Sequence, residues 1–144
     1  MLAPEISIRG NYSYDKKGQF YATTKIYGYI KEEYIDEDYK FWLGLLNSNL
    51  FWFFLKNTGY ILRGGYFTFK TNYIEPFPVP EIIDINLSTN ISNLVNKILD
   101  NSILGNQNSN IELENKIDSL IYEIYNLNLE DINYIESNIN VYEV

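Results

Sequence analysis

The segment Arg63-Gly64-Gly65-Tyr66-Phe67-Thr68-Phe69-Lys70 gathers cations and rings on a few residues. Guanidinium and ammonium groups are suited to phosphate oxygens and base edges, and aromatic faces to sugars or bases. Read as a strand, it turns Tyr66, Thr68 and Lys70 one way and Phe67 and Phe69 the other, because side chains alternate across the pleat. One face can then anchor a core while the other stays free for a partner. Taken alone, the simpler reading is a glycine bulge ahead of an ordinary half-buried strand.

Catalytic chemistry is constrained by what is missing. The chain has no Cys and no His, which removes disulfides, thiolate and imidazole zinc sites, and every Ser-His or Cys-His pair. It has no Gly-Lys-Ser/Thr phosphate loop and no Gly-x-Gly turn for a dinucleotide or adenosyl cofactor. Its prolines, Pro4, Pro76, Pro78 and Pro80, include no Pro-Pro pair of the kind that builds the catalytic loop of amino-group DNA methyltransferases. Asp15 with Asp38-Tyr39-Lys40 superficially fits the carboxylate-lysine template of a metal-dependent nuclease. Such tripeptides recur by chance, Glu114-Asn115-Lys116 being another, and Asp38 is better explained as a helix cap.

At 144 residues the chain is long enough for one self-supporting core. Hydrophobic residues make up 46% and aromatics 17%, with 14 Tyr, although abundant Asn, Ile and Tyr also fit AT-rich coding. The longest mostly apolar run, Phe41 to Leu55, is broken by Asn47-Ser48-Asn49 and is too short to span a bilayer. The first residues lack a signal-peptide pattern, so the expected compartment is the cytoplasm.

A formal charge of −8 argues against a non-specific nucleic-acid binder, but the acid is unevenly placed. Residues 1–80 carry nine Lys/Arg and eight Asp/Glu, whereas residues 81–144 carry two and eleven. Two positive islands result. One holds Lys56, Arg63 and Lys70; the other holds Arg9, Lys16, Lys17, Lys25 and Lys31 against Glu5 and Asp15.

These side chains need elements to hold them. Glu5 to Arg9 alternates, with Ile6 and Ile8 on one side, and reads as a short strand ending before a hairpin turn at Asp15-Lys16-Lys17-Gly18. From Phe20 to Lys31 a second alternation puts Tyr21, Lys25, Tyr27, Tyr29 and Lys31 on one face. That face suits either a nucleic acid or cross-strand tyrosine pairing. The acidic run Glu32 to Asp38 precedes a helix from about Tyr39 to Lys56, apolar around much of its circumference and expected in the core. Gly59 is expected as its left-handed C-cap.

The alternating prolines of Pro76-Phe77-Pro78-Val79-Pro80 enforce an extended segment and mark the division between domains. Beyond it, Ser88 is expected to cap a helix ending at Gly105. A polar turn over 105–110, a second helix from about Ile111 to Tyr125, and an Asn128/Asp131 capping box opening a short third helix complete an acidic tail. The expected fold class is α+β: a small, mostly antiparallel sheet on an aromatic-rich helix, then a C-terminal helical hairpin. The expected domains are 1–80 and 81–144.

Pro4-Glu5-Ile6-Ser7-Ile8-Arg9, Phe20-Tyr21-Ala22, Leu45-Leu46-Asn47-Ser48-Asn49-Leu50-Phe51, Leu62-Arg63-Gly64-Gly65-Tyr66-Phe67 and Tyr73-Ile74-Glu75-Pro76-Phe77-Pro78-Val79-Pro80 follow one another in a distinctive order. In this the chain resembles TaqI-like C-terminal specificity domains, which end N6-adenine DNA methyltransferases and fused type II restriction-modification enzymes. The tail segment from Lys116 to Leu127, followed by Glu130-Asp131, is similar to the helical endings of those proteins. A first strand beginning just after Met1 suits a domain taken from a longer polypeptide.

The resemblance implies that residues 1–80 read the target sequence in double-stranded DNA for an N-terminal methyltransferase domain of the same parent. This chain would then hold no cofactor or metal. S-adenosylmethionine, and Mg where a nuclease is attached, would belong to the parent. The expected DNA-binding residues are Arg9, Lys16, Lys17, Lys25, Arg63, Gly64, Gly65, Tyr66 and Lys70. Arg9 and Arg63 suit guanine edges, and the lysines suit phosphates. Two other readings stay open: a protein-interaction module of a restriction-modification complex without DNA contact, and a nuclease fragment using Asp38.

Overall fold

A computed structural model describes residues 1–105 and 110–139. Strands β1 (Leu2–Pro4), β2 (Ile6–Ser7) and β3 (Ile26–Gly28) lead into helices α1 (Tyr39–Leu46) and α2 (Asn49–Thr58). Next come β4 (Ile61–Leu62), β5 (Tyr66–Thr68), the short helix α3 (Thr71–Ile74), and then α4 (Ile85–Ile103), α5 (Asn110–Ile124) and α6 (Leu129–Ile139). The strands form two antiparallel sheets, β1-β3 and β2-β5-β4. The fold is α+β with a C-terminal helical region. No helix among the described residues is long and apolar enough to cross a membrane.

Glu5 joins the two sheets. Its backbone N–H donates to the Lys25 carbonyl at 2.9 Å, and its carbonyl accepts the Phe69 N–H at 2.8 Å. Two short sheets therefore replace the single longer one that the alternation suggested. Ile6 and Ile8 are 42% and 44% exposed, so the apolar side of the Glu5–Arg9 segment faces outward. The Phe20–Lys31 alternation collapses to the three residues of β3. Its first half is turn: the Asp15 carboxylate accepts the Phe20 N–H at 2.9 Å, and Thr23 bridges back to Ile26.

The aromatic helix lies in the core as expected, but it is two helices. Asp38 caps α1 by accepting the Lys40 N–H at 2.7 Å. The Ser48 hydroxyl caps α2 by accepting the Phe51 N–H at 3.1 Å. The side-chain cap competes with helix continuation and breaks the run at Asn47-Ser48. Gly59 is extended rather than left-handed, with φ −78° and ψ 170°. Its need for glycine is steric, since a Cβ there would stand 2.5 Å from the Leu55 carbonyl oxygen.

Ring pairs knit this layer to its neighbours: Trp52 meets Phe67 of β5 with centroids 4.9 Å apart, and Phe51 meets Phe77 of the proline-rich connector at 5.0 Å. The far side of α1 and α2 is closed by the tail, α1 packing on α4, and α2 on α5 and α6. Asp84 caps α4, its carboxylate accepting the Asn86 and Leu87 N–H groups. Ser88 lies inside that helix, buried, its hydroxyl donating to the Ile85 carbonyl, so the expected cap is displaced by one turn. Gly105 follows at φ +77°, and residues 106–109 of the expected polar turn lie outside the described residues. The Asn128/Asp131 box opens α6 as its spacing predicts: the Asn128 side chain accepts the Asp131 N–H at 3.0 Å, and Asp131 accepts the Asn128 N–H at 3.2 Å.

Candidate nucleic-acid interface

Lys25 enters β3 of the first sheet, and Lys70 follows β5 of the second. Both reach the Glu5 carboxylate, Lys25 Nζ to Oε2 at 3.4 Å and Lys70 Nζ to Oε1 at 4.0 Å. The joint between the sheets thus brings together two ammonium groups from distant parts of the chain. Both lysines are exposed, whereas the Glu5 side chain is largely covered. Exposed pairs of this kind contribute little stability. What they show is position: one acid lies within 4.0 Å of two cations from separate sheets.

The Arg63-Gly64-Gly65 turn caps the β4-β5 hairpin of the same second sheet, where Leu62 pairs with Tyr66. Gly64 and Gly65 have φ of +88° and +76°, conformations that L side chains rarely adopt. A Cβ at Gly65 would meet nothing within 4 Å and one at Gly64 only the Tyr66 ring, so the two glycines serve turn geometry. The turn leaves Arg63 exposed with no salt bridge or side-chain hydrogen bond among the described residues. Tyr66 and Lys70 are exposed, and Phe67 and Phe69 are buried, as the alternation predicts. Thr68 departs from it by being buried.

The remaining cations lie elsewhere. Arg9 is exposed, but its guanidinium donates to the Asn49 side-chain oxygen at 2.7 Å. Lys16 borders a cavity of about 400 Å³ beside Lys40 and the Asp100 end of α4. Lys17 is exposed in the turn that Gly18 closes at φ +61°. The tyrosine and lysine face expected over Tyr21–Lys31 divides. Tyr29 packs on Tyr12 with ring centroids 5.4 Å apart, Lys31 donates to the Ile35 and Glu37 carbonyls, and Tyr21 stays in solvent.

Sequence reasoning missed the joint formed by Asn47-Ser48-Asn49. The Asn47 side chain accepts the Tyr12 N–H at 2.9 Å and donates to the Tyr12 carbonyl at 3.0 Å, clamping the chain between β2 and β3. Asn49 takes Arg9 on its oxygen, donates its amide to Glu136 at 3.2 Å, and gives its backbone N–H to Asp118 at 2.8 Å. The Tyr122 hydroxyl also donates to Glu136. Burial pushes the Asp118 carboxyl up to about 6, the Asn49 N–H opposes the rise, Glu136 and Glu114 add to it, and Arg9 opposes it. Burial, then the Glu136 bond, likewise raises the Tyr122 hydroxyl. Three polar residues between two apolar helices were a legible signal of a joint, but their partners, 69 and 87 residues away, were not.

Asp38 is engaged as a cap and Asp15 as a turn acceptor, the Phe20 N–H holding the Asp15 carboxyl below its usual range. No group of three or more Asp and Glu poised for a metal ion occurs among the described residues. Comparisons with curated proteins and with solved structures return no match. The family model for TaqI-like C-terminal specificity domains matches residues 1–79, which contain both sheets, the two aromatic helices and the glycine turn. The chain belongs to the TaqI-like C-terminal specificity domain family, and that membership supports a role in recognising DNA targets in restriction-modification systems.

Proposed function

We propose that this chain reads the target sequence for a catalytic domain that methylates the N6 amino group of adenine, with or without an attached nuclease. In this reading S-adenosylmethionine and the flipped adenine occupy the catalytic domain, and the present chain supplies the address. The observation that carries it is the meeting of Lys25 and Lys70 at Glu5, on the joint between the sheets, with the second sheet also presenting Arg63 and Tyr66. The roles divide by chemistry. Arg63, without a salt bridge or side-chain hydrogen bond among the described residues, has the donor fork for a guanine edge, while Lys25 and Lys70 are point charges suited to phosphates. Arg9 has part of its fork committed to Asn49, away from this edge, and fits a structural role better than that of reading a base.

The test is selection of duplexes from a randomised pool by the full chain, followed by sequencing. Wild type should enrich a short sequence, and Arg63→Ala should relax it at one position, since a bidentate contact discriminates by about 1–3 kcal/mol. Lys25→Gln with Lys70→Gln should weaken all duplexes alike and reduce the salt slope by about two. Unchanged enrichment by the Arg63 variant would remove that residue from the reading head. Binding to a methyltransferase domain with no response to DNA would favour the protein-interaction reading instead.

A further inference from the structure

We propose that Phe20 and Tyr21 form a ring-bearing wedge that stacks on bases of the bound duplex, giving the chain a non-ionic contact beside its lysines. This rests on the DNA-target reading above. The two rings are adjacent in sequence and are 70% and 92% exposed, Tyr21 almost entirely in solvent. Their loop is built, since the Asp15 carboxylate takes the Phe20 N–H at 2.9 Å, Gly18 closes the turn behind it, and the Thr23–Ile26 bridge closes the return. Phe20 also borders a groove of about 320 Å³ lined by Leu2, Ala3, Pro4 and Ile26 of the first sheet.

Charge selects the partner. Lys16 and Lys17 precede the rings and Lys25 follows them, three cations against two nearby carboxylates, Asp15, which takes the Phe20 N–H, and Glu5, which pairs with Lys25. Rings in water among lysines are costly against an apolar protein surface, which would have to desolvate the ammonium groups. Against duplex DNA the same lysines find phosphates and the rings find base faces. Apolar side chains inserted at a base step part the stack and kink the duplex.

The experiment compares the full chain with Phe20→Ala/Tyr21→Ala, with Tyr21→Ala alone and with Lys16→Gln/Lys17→Gln. Binding is read by anisotropy on the selected duplex across a salt series, and bending by energy transfer between dyes at the duplex ends. Removing the rings should weaken binding by about fivefold or more with an unchanged salt slope, and should lengthen the end-to-end distance. The lysine variant should flatten the slope and keep the bend. The single Tyr21 variant, whose side chain touches little else, guards against a disturbed loop. Ring variants that bind and bend DNA like wild type overturn the wedge and leave the DNA reading standing. A wild-type chain that binds no duplex overturns both. Ring variants that lose self-association in sedimentation but keep DNA binding overturn the wedge and assign the rings to a protein contact.

Discussion

Gly44 shows how one missing methyl sets a helix crossing. It is buried on α1, and a Cβ there would stand 2.8 Å from Ile91 Cγ2 and 3.2 Å from Val95 Cγ2 on α4. Ile91 is itself sealed, so it cannot swing away. Gly44→Ala should therefore cost about 1–3 kcal/mol in urea denaturation despite the better helix propensity of alanine. Asp118 gives a second prediction with a definite sign. Its folded carboxyl titrates near 6, raised by burial from an ordinary 3.8. A carboxyl raised on folding favours the folded state while protonated, so its contribution is present at low pH and lost as pH climbs from the unfolded value through the folded one. Between about pH 5 and about pH 7.5 the wild type should lose about 1 kcal/mol relative to Asp118→Asn, whose amide oxygen still accepts the Asn49 N–H. Parallel denaturation curves for the two proteins over that range would refute the assignment.

Elements were legible where a local rule decided them. The apolar circumference of Tyr39–Lys56 announced burial, the alternation at Tyr66–Lys70 announced which rings point inward, and Asn128/Asp131 announced a helix start. They were illegible where the decision was made at a distance. Nothing near Ile6 and Ile8 says that they face water, because that depends on Phe67 and Phe69 filling the inner face first. The lysines of the site were visible as residue types, but Glu5 as their common partner required the register of both sheets. The α1-α2 break is the clearest test at this scale. Ser48→Ala should cost about 1 kcal/mol, since it removes the α2 cap in a buried position. The weakened α2 start should also appear as faster hydrogen exchange at the Phe51 amide.

At the scale of the whole molecule, the residues matched to the family and the residues that fold together need not coincide. The family match ends at residue 79, yet the buried faces of Phe41 and Leu45 on α1 and of Leu55 on α2 share one core with Ile91, Val95, Ile117, Ile121 and Ile135 of the tail. The connector is also tied, the Tyr125 hydroxyl donating to the Pro78 carbonyl at 2.8 Å. Cutting after Pro80 would leave α1 and α2 with half their cover and would orphan Asn49 and Arg9 from Asp118 and Glu136. Each large apolar side chain so exposed forfeits about 1.5–3 kcal/mol, and a few of them exceed the whole stability of an ordinary domain. A chain of residues 1–80 should therefore aggregate or melt without a cooperative transition, while the full chain unfolds in one step. Calorimetry of the two proteins decides it. A sharp, reversible transition in the shorter chain would mean that the acidic helices are an appendage and not the other half of the core. The acid they carry, eleven carboxylates against two lysines from residue 81 onward, then has a physical reading. On the proposed reading, the carboxylates of α4 to α6 would repel phosphate from the side of α1 and α2 that those helices cover and favour approach by the Lys25–Lys70 edge, a bias that weakens as salt screens it.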